Sequence, residues 1–203
     1  MKSGNEQIKD FLDIEFSELQ HFANGIDTEA LVAAKELILT AEKNHNRVHV
    51  TGIGKPGHVA GYVASLLSST GTPTYELHGT EAVHGSAGQV MSGDVVIAIS
   101  NSGETAELKA TVQTLKNNGA KIISVTGKAG SWLASQGDVA LIAGVKQEGD
   151  SMNKPPRGSI LAEIMMLQCL SILLQNERNL TPEEYVKWHP GGSLGQSIRD
   201  AQK

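Results

Sequence analysis

The segment Asp94-Val-Val-Ile-Ala-Ile-Ser-Asn-Ser-Gly-Glu-Thr105 constrains the fold of this chain more than any other. Its apolar run, Val95 to Ile99, reads as a buried strand that passes directly into the turn Ser100 to Thr105. A helical pattern follows, with Leu108, Val112 and Leu115 on one face. A buried strand that feeds a helix through a short turn belongs to an α/β sheet. The turn sets the hydroxyls of Ser100, Ser102 and Thr105, with Asn101 and Gly103, at a helix N-terminus. Backbone N–H groups there have no partner inside the helix, so the position suits an anion, most naturally a phosphate. Glycine lets the backbone approach such a ligand closely. The plainer alternative is that Ser102 or Thr105 only caps the helix. Several polar groups around one glycine favour the ligand.

The same alternation recurs along the chain. Strands are predicted at Arg47–Thr51, Thr72–Leu77, Asp94–Ile99, Lys121–Thr126 and Asp138–Ala143, and helical segments separate most of them. Two helices precede them, over about 5–23 and from Asp27 to about 44; the second carries Leu31, Ala34, Leu37, Ile38 and Ala41 on one face. A helix is expected from about Pro56, since proline suits a first helical turn. Asn118-Gly119 stops the helix ahead of the fourth strand. A long helix is expected over Gly158–Gln175, and Thr181-Pro182-Glu183-Glu184 has capping-box spacing. The predicted architecture is α/β and three-layered: a five-stranded parallel sheet with helices on both faces.

The 203 residues fit a single domain, with N-terminal helices in 1–44 and a core in 47–195. A net charge of −5 without a basic block argues against nucleic acid as a partner. An anionic ligand must then be held by local donors. The single cysteine, Cys169, forbids an intrachain disulfide and fits a reducing, cytoplasmic location. It lies in an apolar run, Ile160 to Leu174, and reads as a small buried residue before a catalytic thiol. The N-terminus has no apolar signal core. The longest apolar stretch contains Glu163 and Gln168 and is judged too short to span a bilayer, so no membrane partner is expected.

Gly52-Ile-Gly-Lys-Pro-Gly57 matches the G-x-G-x-x-G dinucleotide pattern, and Glu76 lies about where a ribose-binding acid is expected. Any phosphate-binding turn between strand and helix needs glycines, so the match is ambiguous. Lys55 inside the turn is foreign to that fingerprint and natural beside a phosphate or a sugar oxygen; the plain reading is a solvated lysine. If the strand order reverses between the two turns, they flank the crevice where such folds bind ligands. Between them, Glu76 to Gly85 is dense in acids and histidines. His78, Glu81 and His84 are candidates for metal ligation or acid–base work. Glu81 and His84 share a face if the segment is helical. No cysteine supports a zinc site, and no metal is expected.

These motifs together resemble the SIS (sugar isomerase) domain, and within it the arabinose-5-phosphate isomerase group. The resemblance rests on Gly52–His58, Ser69-Thr-Gly-Thr-Pro73, Glu81-Ala-Val-His-Gly85, Ser100-Asn-Ser-Gly-Glu-Thr105 with Glu107, and His189-Pro-Gly-Gly-Ser-Leu-Gly195. It implies a flavodoxin-like strand order, a homo-oligomeric assembly, usually a tetramer, and interconversion of aldose and ketose phosphates. It implies phosphate binding by Ser100, Asn101, Ser102 and Thr105, and a catalytic site lined by Lys55, His84, Glu107 and His189. Glu148 falls at a functional position in an ungapped alignment to His189, and Gly54 and Glu81 join the candidate substrate contacts. The chain departs from the family's usual pattern at Pro56, at Ser86 and over Asn153–Ser159, and the CBS domains that many members carry are not expected here. Pro56 offers neither a hydroxyl nor an N–H. Arg157, in the second departing segment, is the candidate replacement donor at the phosphate, with a solvated arginine as the alternative.

Isomerisation through an enediol needs a carbon base, a proton shuttle between two oxygens and a donor for the developing oxyanion. Glu107 and His189 are the candidates for base and shuttle, and Lys55, assisted by His84, for the donor. The chemistry requires no cofactor. A sugar-phosphate-binding regulator is the alternative; it would keep the Ser100–Thr105 turn without needing the acid–base set. A dinucleotide-binding protein ranks third.

Overall fold

The computed structural model describes residues 2–189 together with Gly191, Gln196 and Asp200. Five parallel strands form one sheet: β1 (Val48–Gly52), β2 (Thr74–Glu76), β3 (Val95–Ile99), β4 (Lys121–Thr126) and β5 (Val139–Ile142), in the order β2-β1-β3-β4-β5. The helices are α1 (Gly4–Asn24), α2 (Thr28–Lys43), α3 (Lys55–Ser69), α4 (Gly79–Ala82), α5 (Ala106–Asn117), α6 (Trp132–Gln136), α7 (Gly158–Arg178) and α8 (Pro182–Trp188). The predicted α/β architecture is the one observed.

Alternation along the strands builds two cores. Val95, Ile97 and Ile99 face the layer of α1, α2, α3 and α7, where they meet Phe22, Ile38, Leu67 and Leu170. Val96 and Ala98 face the opposite layer and pack with Leu108, Leu115 and Leu133. The helix after β1 therefore lies on one face and the helix after β3 on the other. Because β1 and β3 are neighbours, their C-terminal ends bound the crevice at which folds of this order bind ligands.

Several boundaries differ from expectation. β2 is confined to Thr74–Glu76. Thr72 donates its N–H to Leu67 O (2.8 Å) at the end of α3, and Pro73 has no N–H to give. The helix α4, the 3₁₀ turn over Ser86–Gln89 and α6 were not anticipated, being too short to show a helical period. α7 runs three residues past Gln175 and, at 21 residues, is long and apolar enough to cross a membrane, so the length argument fails. Its position shows a core helix instead: Ala162, Met166, Leu167, Leu170 and Leu174 pack against the sheet and the neighbouring helices.

The last described elements lie at the opposite edge of the sheet from the crevice. Arg178 reaches Thr72 Oγ1 (3.2 Å) and Glu42. The capping box Thr181–Glu184 then starts α8, as expected. α8 brings Trp188 into a pocket with Ser68, Gly71, Pro73 and Thr74. Thr74 opens β2 and pairs with Val48, the first residue of β1, which fixes this pocket at the N-terminal edge of the strands.

Candidate active site

The turn after β3 is supported from beneath. Ser100 is buried at the strand end; its Oγ accepts from Gly103 N (3.2 Å) and shares a hydrogen bond with Thr105 Oγ1 (3.2 Å). Gly103 has φ +67°, and a Cβ there would lie 2.9 Å from Thr126 Oγ1 and overlap Ser131, so only glycine fits. Asn101 O accepts from Thr126 Oγ1 (3.2 Å) and Gly127 N (3.0 Å). Glu104 is held by Lys109 and by the Trp132 N–H, which lower its pKa and commit it to the turn's own structure.

Neither hydroxyl acts as a cap. Thr105 occupies the N-cap position of α5 but makes no side-chain capping bond, and Ser102 Oγ accepts from Glu104 N (3.2 Å) outside the helix. The first turn of α5 thus presents its N–H groups without a side-chain acceptor among the described residues. Ser102 and Glu107 are exposed on that turn.

The turn after β1 lies alongside, because Gly52 is paired with Ile99 and the two turns leave adjacent residues. Its glycines have separate reasons. A Cβ at Gly52 would come within 2.7 Å of the Pro56 carbonyl, whereas Gly54 meets no obstacle but has φ +66° at the N-cap of α3. The pattern that imitates a dinucleotide fingerprint is thus dictated locally by a tight entry into α3. On the β2 side, Gly52, Gly54 and Gly57 line a cleft of about 170 Å³ with Glu76, His58 and His78. Lys55 opens α3, one residue earlier than expected, and is exposed; it lines a shallow groove with Tyr62 and with Pro156, Ile160 and Ile164 around the start of α7.

That start of α7 is organised by Glu148. Its Oε2 accepts from Arg157 N (2.7 Å) and Ser159 N (3.1 Å), and its own N–H donates to Asn153 Oδ1 (2.6 Å). A carboxylate at a helix N-terminus is favourably placed. The Arg157 guanidinium, expected at the phosphate, is paired with Asp150 (2.5 Å) instead, and no hydrogen bond among the described residues joins it to the Ser100–Thr105 turn. The adjacent acid supplies the nearer charge, and Arg157 lines the groove between α1 and the 147–157 segment.

No hydrogen bond among the described residues joins the three remaining candidates to either turn. Glu81 lies in α4, but the helix ends at Ala82 and His84 follows it, donating its N–H to Glu81 O (3.0 Å). The pair therefore does not share a helical face. His189 ends α8 with Nδ1 2.8 Å from Tyr185 O and its ring stacked on Tyr185. It follows Trp188, at the edge of the sheet opposite Lys55 and Ser102. Pro190 and residues 192–195 of the expected motif lie outside the described residues.

Sequence reasoning passed over three buried acids. Glu15 and Glu18 of α1 and Glu163 of α7 are all buried, beside the segment that Glu148 organises. A signal was present: Glu15, Glu18 and Phe22 fall at i, i+3, i+7, the spacing of a core-facing stripe.

The SIS domain matches residues 43–173. The chain is 41% identical over 167 residues to arabinose 5-phosphate isomerase KdsD of Pseudomonas aeruginosa, covering 82% of this chain and 50% of that protein. The KdsD of Francisella tularensis is 35% identical over 185 residues, covering 91% and 56%. The chain thus spans about half the length of the curated relatives it matches. Among solved structures, an E. coli CFT073 protein in complex with arabinose 5-phosphate is 34% identical with a TM-score of 0.83, covering 94% of this chain and all of that one. With the sheet order, the hydroxyl turn and these matches in agreement, the chain belongs to the SIS domain family.

Proposed function

We propose that this protein is a sugar-phosphate isomerase, an intramolecular aldose–ketose oxidoreductase that interconverts D-arabinose 5-phosphate and D-ribulose 5-phosphate. The observation that carries this reading is the uncapped start of α5 behind Ser100, Ser102 and Thr105, a seat for a phosphate dianion. The resemblance to proteins named arabinose 5-phosphate isomerases, and to one solved with that sugar phosphate, supplies the sugar.

The phosphate sits on Ser100, Asn101, Ser102 and Thr105. The carbon chain extends toward the turn after β1, past Gly54. A base removes the proton from C2, giving an enediolate, and a proton returns to C1 while the hydroxyl proton passes from O2 to O1. Lys55 stabilises the oxyanion; Glu107 and His189 divide the work of base and shuttle, with His84, Glu81 and Glu148 completing the pocket. Arg157 keeps the Glu148 segment in place through Asp150. The reaction takes place in the cytoplasm.

His189 and the two turns lie toward opposite edges of one sheet, and β1, which runs between those edges, is about 13 Å long. We therefore assign the histidine of each site to a second copy of the chain, within a homo-oligomer of tetrameric type. His189→Asn should lower turnover about a hundredfold or more. The deciding experiment is a panel of pentose, hexose and heptose phosphates offered to the purified protein. Conversion of the pentose phosphate alone supports this reading. Tight binding of a sugar phosphate without conversion of any of them favours a regulatory protein.

A further inference from the structure

The first turn of α7 carries more buried acid than it can pair. Glu148 holds the turn through Arg157 N and Ser159 N. One helical turn beyond Ser159 lies Glu163, 0% exposed. Neither of its carboxyl oxygens has a hydrogen-bond partner among the described residues, and neither has the buried Ser159 Oγ. Glu15 closes the same end from α1, buried and unpartnered, with its oxygens against Gly149 and Gly158.

A charged carboxylate without donors is costly in such a place. Burial, reinforced by the charge of Glu148, pushes the Glu163 carboxyl up to about 8. Burial and Glu148 also raise Glu15, against the opposing charge of Arg157. The other charged groups around this end are committed or lie outside it. Glu18 accepts from Lys146 N, and Asp150 pairs with Arg157. Lys55 and His58 of α3 line the groove beside Ile160 and Ile164, and Lys35 of α2 pairs with Glu177 farther along α7.

We propose that Glu163 is a positioning residue for Glu148: its uncharged carboxyl lets Glu148 keep hold of the first turn of α7, and its ionisation sets a second negative charge behind that turn and loosens the grip. This rests on the reading of Glu148 as part of the isomerase pocket and adds a residue and a pH dependence to it. Because the folded-state pKa is raised, the arrangement is intact at low pH and is lost as pH rises through about 8.

The test follows the Arg157 and Ser159 amide resonances of the ¹⁵N-labelled full chain, without sugar, as pH is raised through about 8. Both should move in a common step, and Glu163→Gln, uncharged and of the same shape, should abolish it. Glu163→Met reads the same step if the Gln variant does not fold. A step that survives either neutral variant, or that is absent from the parent, overturns the proposal. This readout needs no substrate, so its failure is separate from a failure of the isomerase reading. With arabinose 5-phosphate, parent kcat/KM should fall about tenfold per pH unit above the step, and the Gln variant should hold its rate. Coincident pH profiles would overturn the link to Glu148.

Discussion

The turns after β1 and β3 begin from paired residues and open helices at the same edge of the sheet, yet they are built for different work. The turn after β3 contains Ser100, Ser102 and Thr105 and leaves the start of α5 uncapped. The turn after β1 has no hydroxyl between Gly52 and Gly57, and Pro56 removes one of the N–H groups a phosphate would use. What it contributes is Lys55. A helix N-terminus is thus not enough to predict an anion's seat; the donors around it decide. On the proposed reading, one turn binds the end of the substrate that does not change, and the other faces the carbons that do.

This division of labour can be broken by experiment. The largest effect is expected from Lys55→Met, which should lower kcat by about two to three orders of magnitude with little change in KM, as loss of an oxyanion donor does. Steady-state kinetics would invert the comparison if KM rose and kcat held. Ser102→Ala should do the opposite: KM up about tenfold or more, from the loss of a hydrogen bond to a charged group, with the melting temperature nearly unchanged. An unaltered KM would return Ser102 to a structural role. The glycines sharpen the contrast in stability. Gly103→Ala meets both a positive φ and the Ser131 side chain, while Gly54→Ala meets only the positive φ. Thermal unfolding should show the larger drop for Gly103, with about 1 kcal/mol or more lost at Gly54. The smallest effect is expected from NADH or NADPH: titration should give no micromolar binding, and a saturable curve would return the turn after β1 to the dinucleotide reading.

Much of the fold was legible because its strands are short and apolar. β4 falls on the predicted Lys121–Thr126, and Gly119 follows α5 with φ +87°, as a helix stop requires. The sheet order followed from the resemblance, since periodicity alone orders nothing. β2 was overestimated because its first residues serve the end of α3, a competition that no local pattern reveals. The local geometry of the candidate site was legible at Ser100–Thr105, where the expected turn joins β3 to α5 and neither Ser102 nor Thr105 caps the helix. Sequence did not reveal that Arg157 pairs with Asp150, seven residues away. The Glu81–His84 face failed because α4 stops at Ala82. Glu163 was seen only as a blemish in an apolar helix, since sequence gives a residue's type but not the absence of partners around it.

The placement of α8 has a consequence for heredity as well as for chemistry. If each pocket borrows His189 from another chain, two defective genes can repair one another. A Glu107→Gln chain still lends a sound histidine, and a His189→Asn chain still offers a sound pocket. Mixed in one solution and allowed to exchange partners, the two dead variants should regain about a quarter of the normal sites by random pairing.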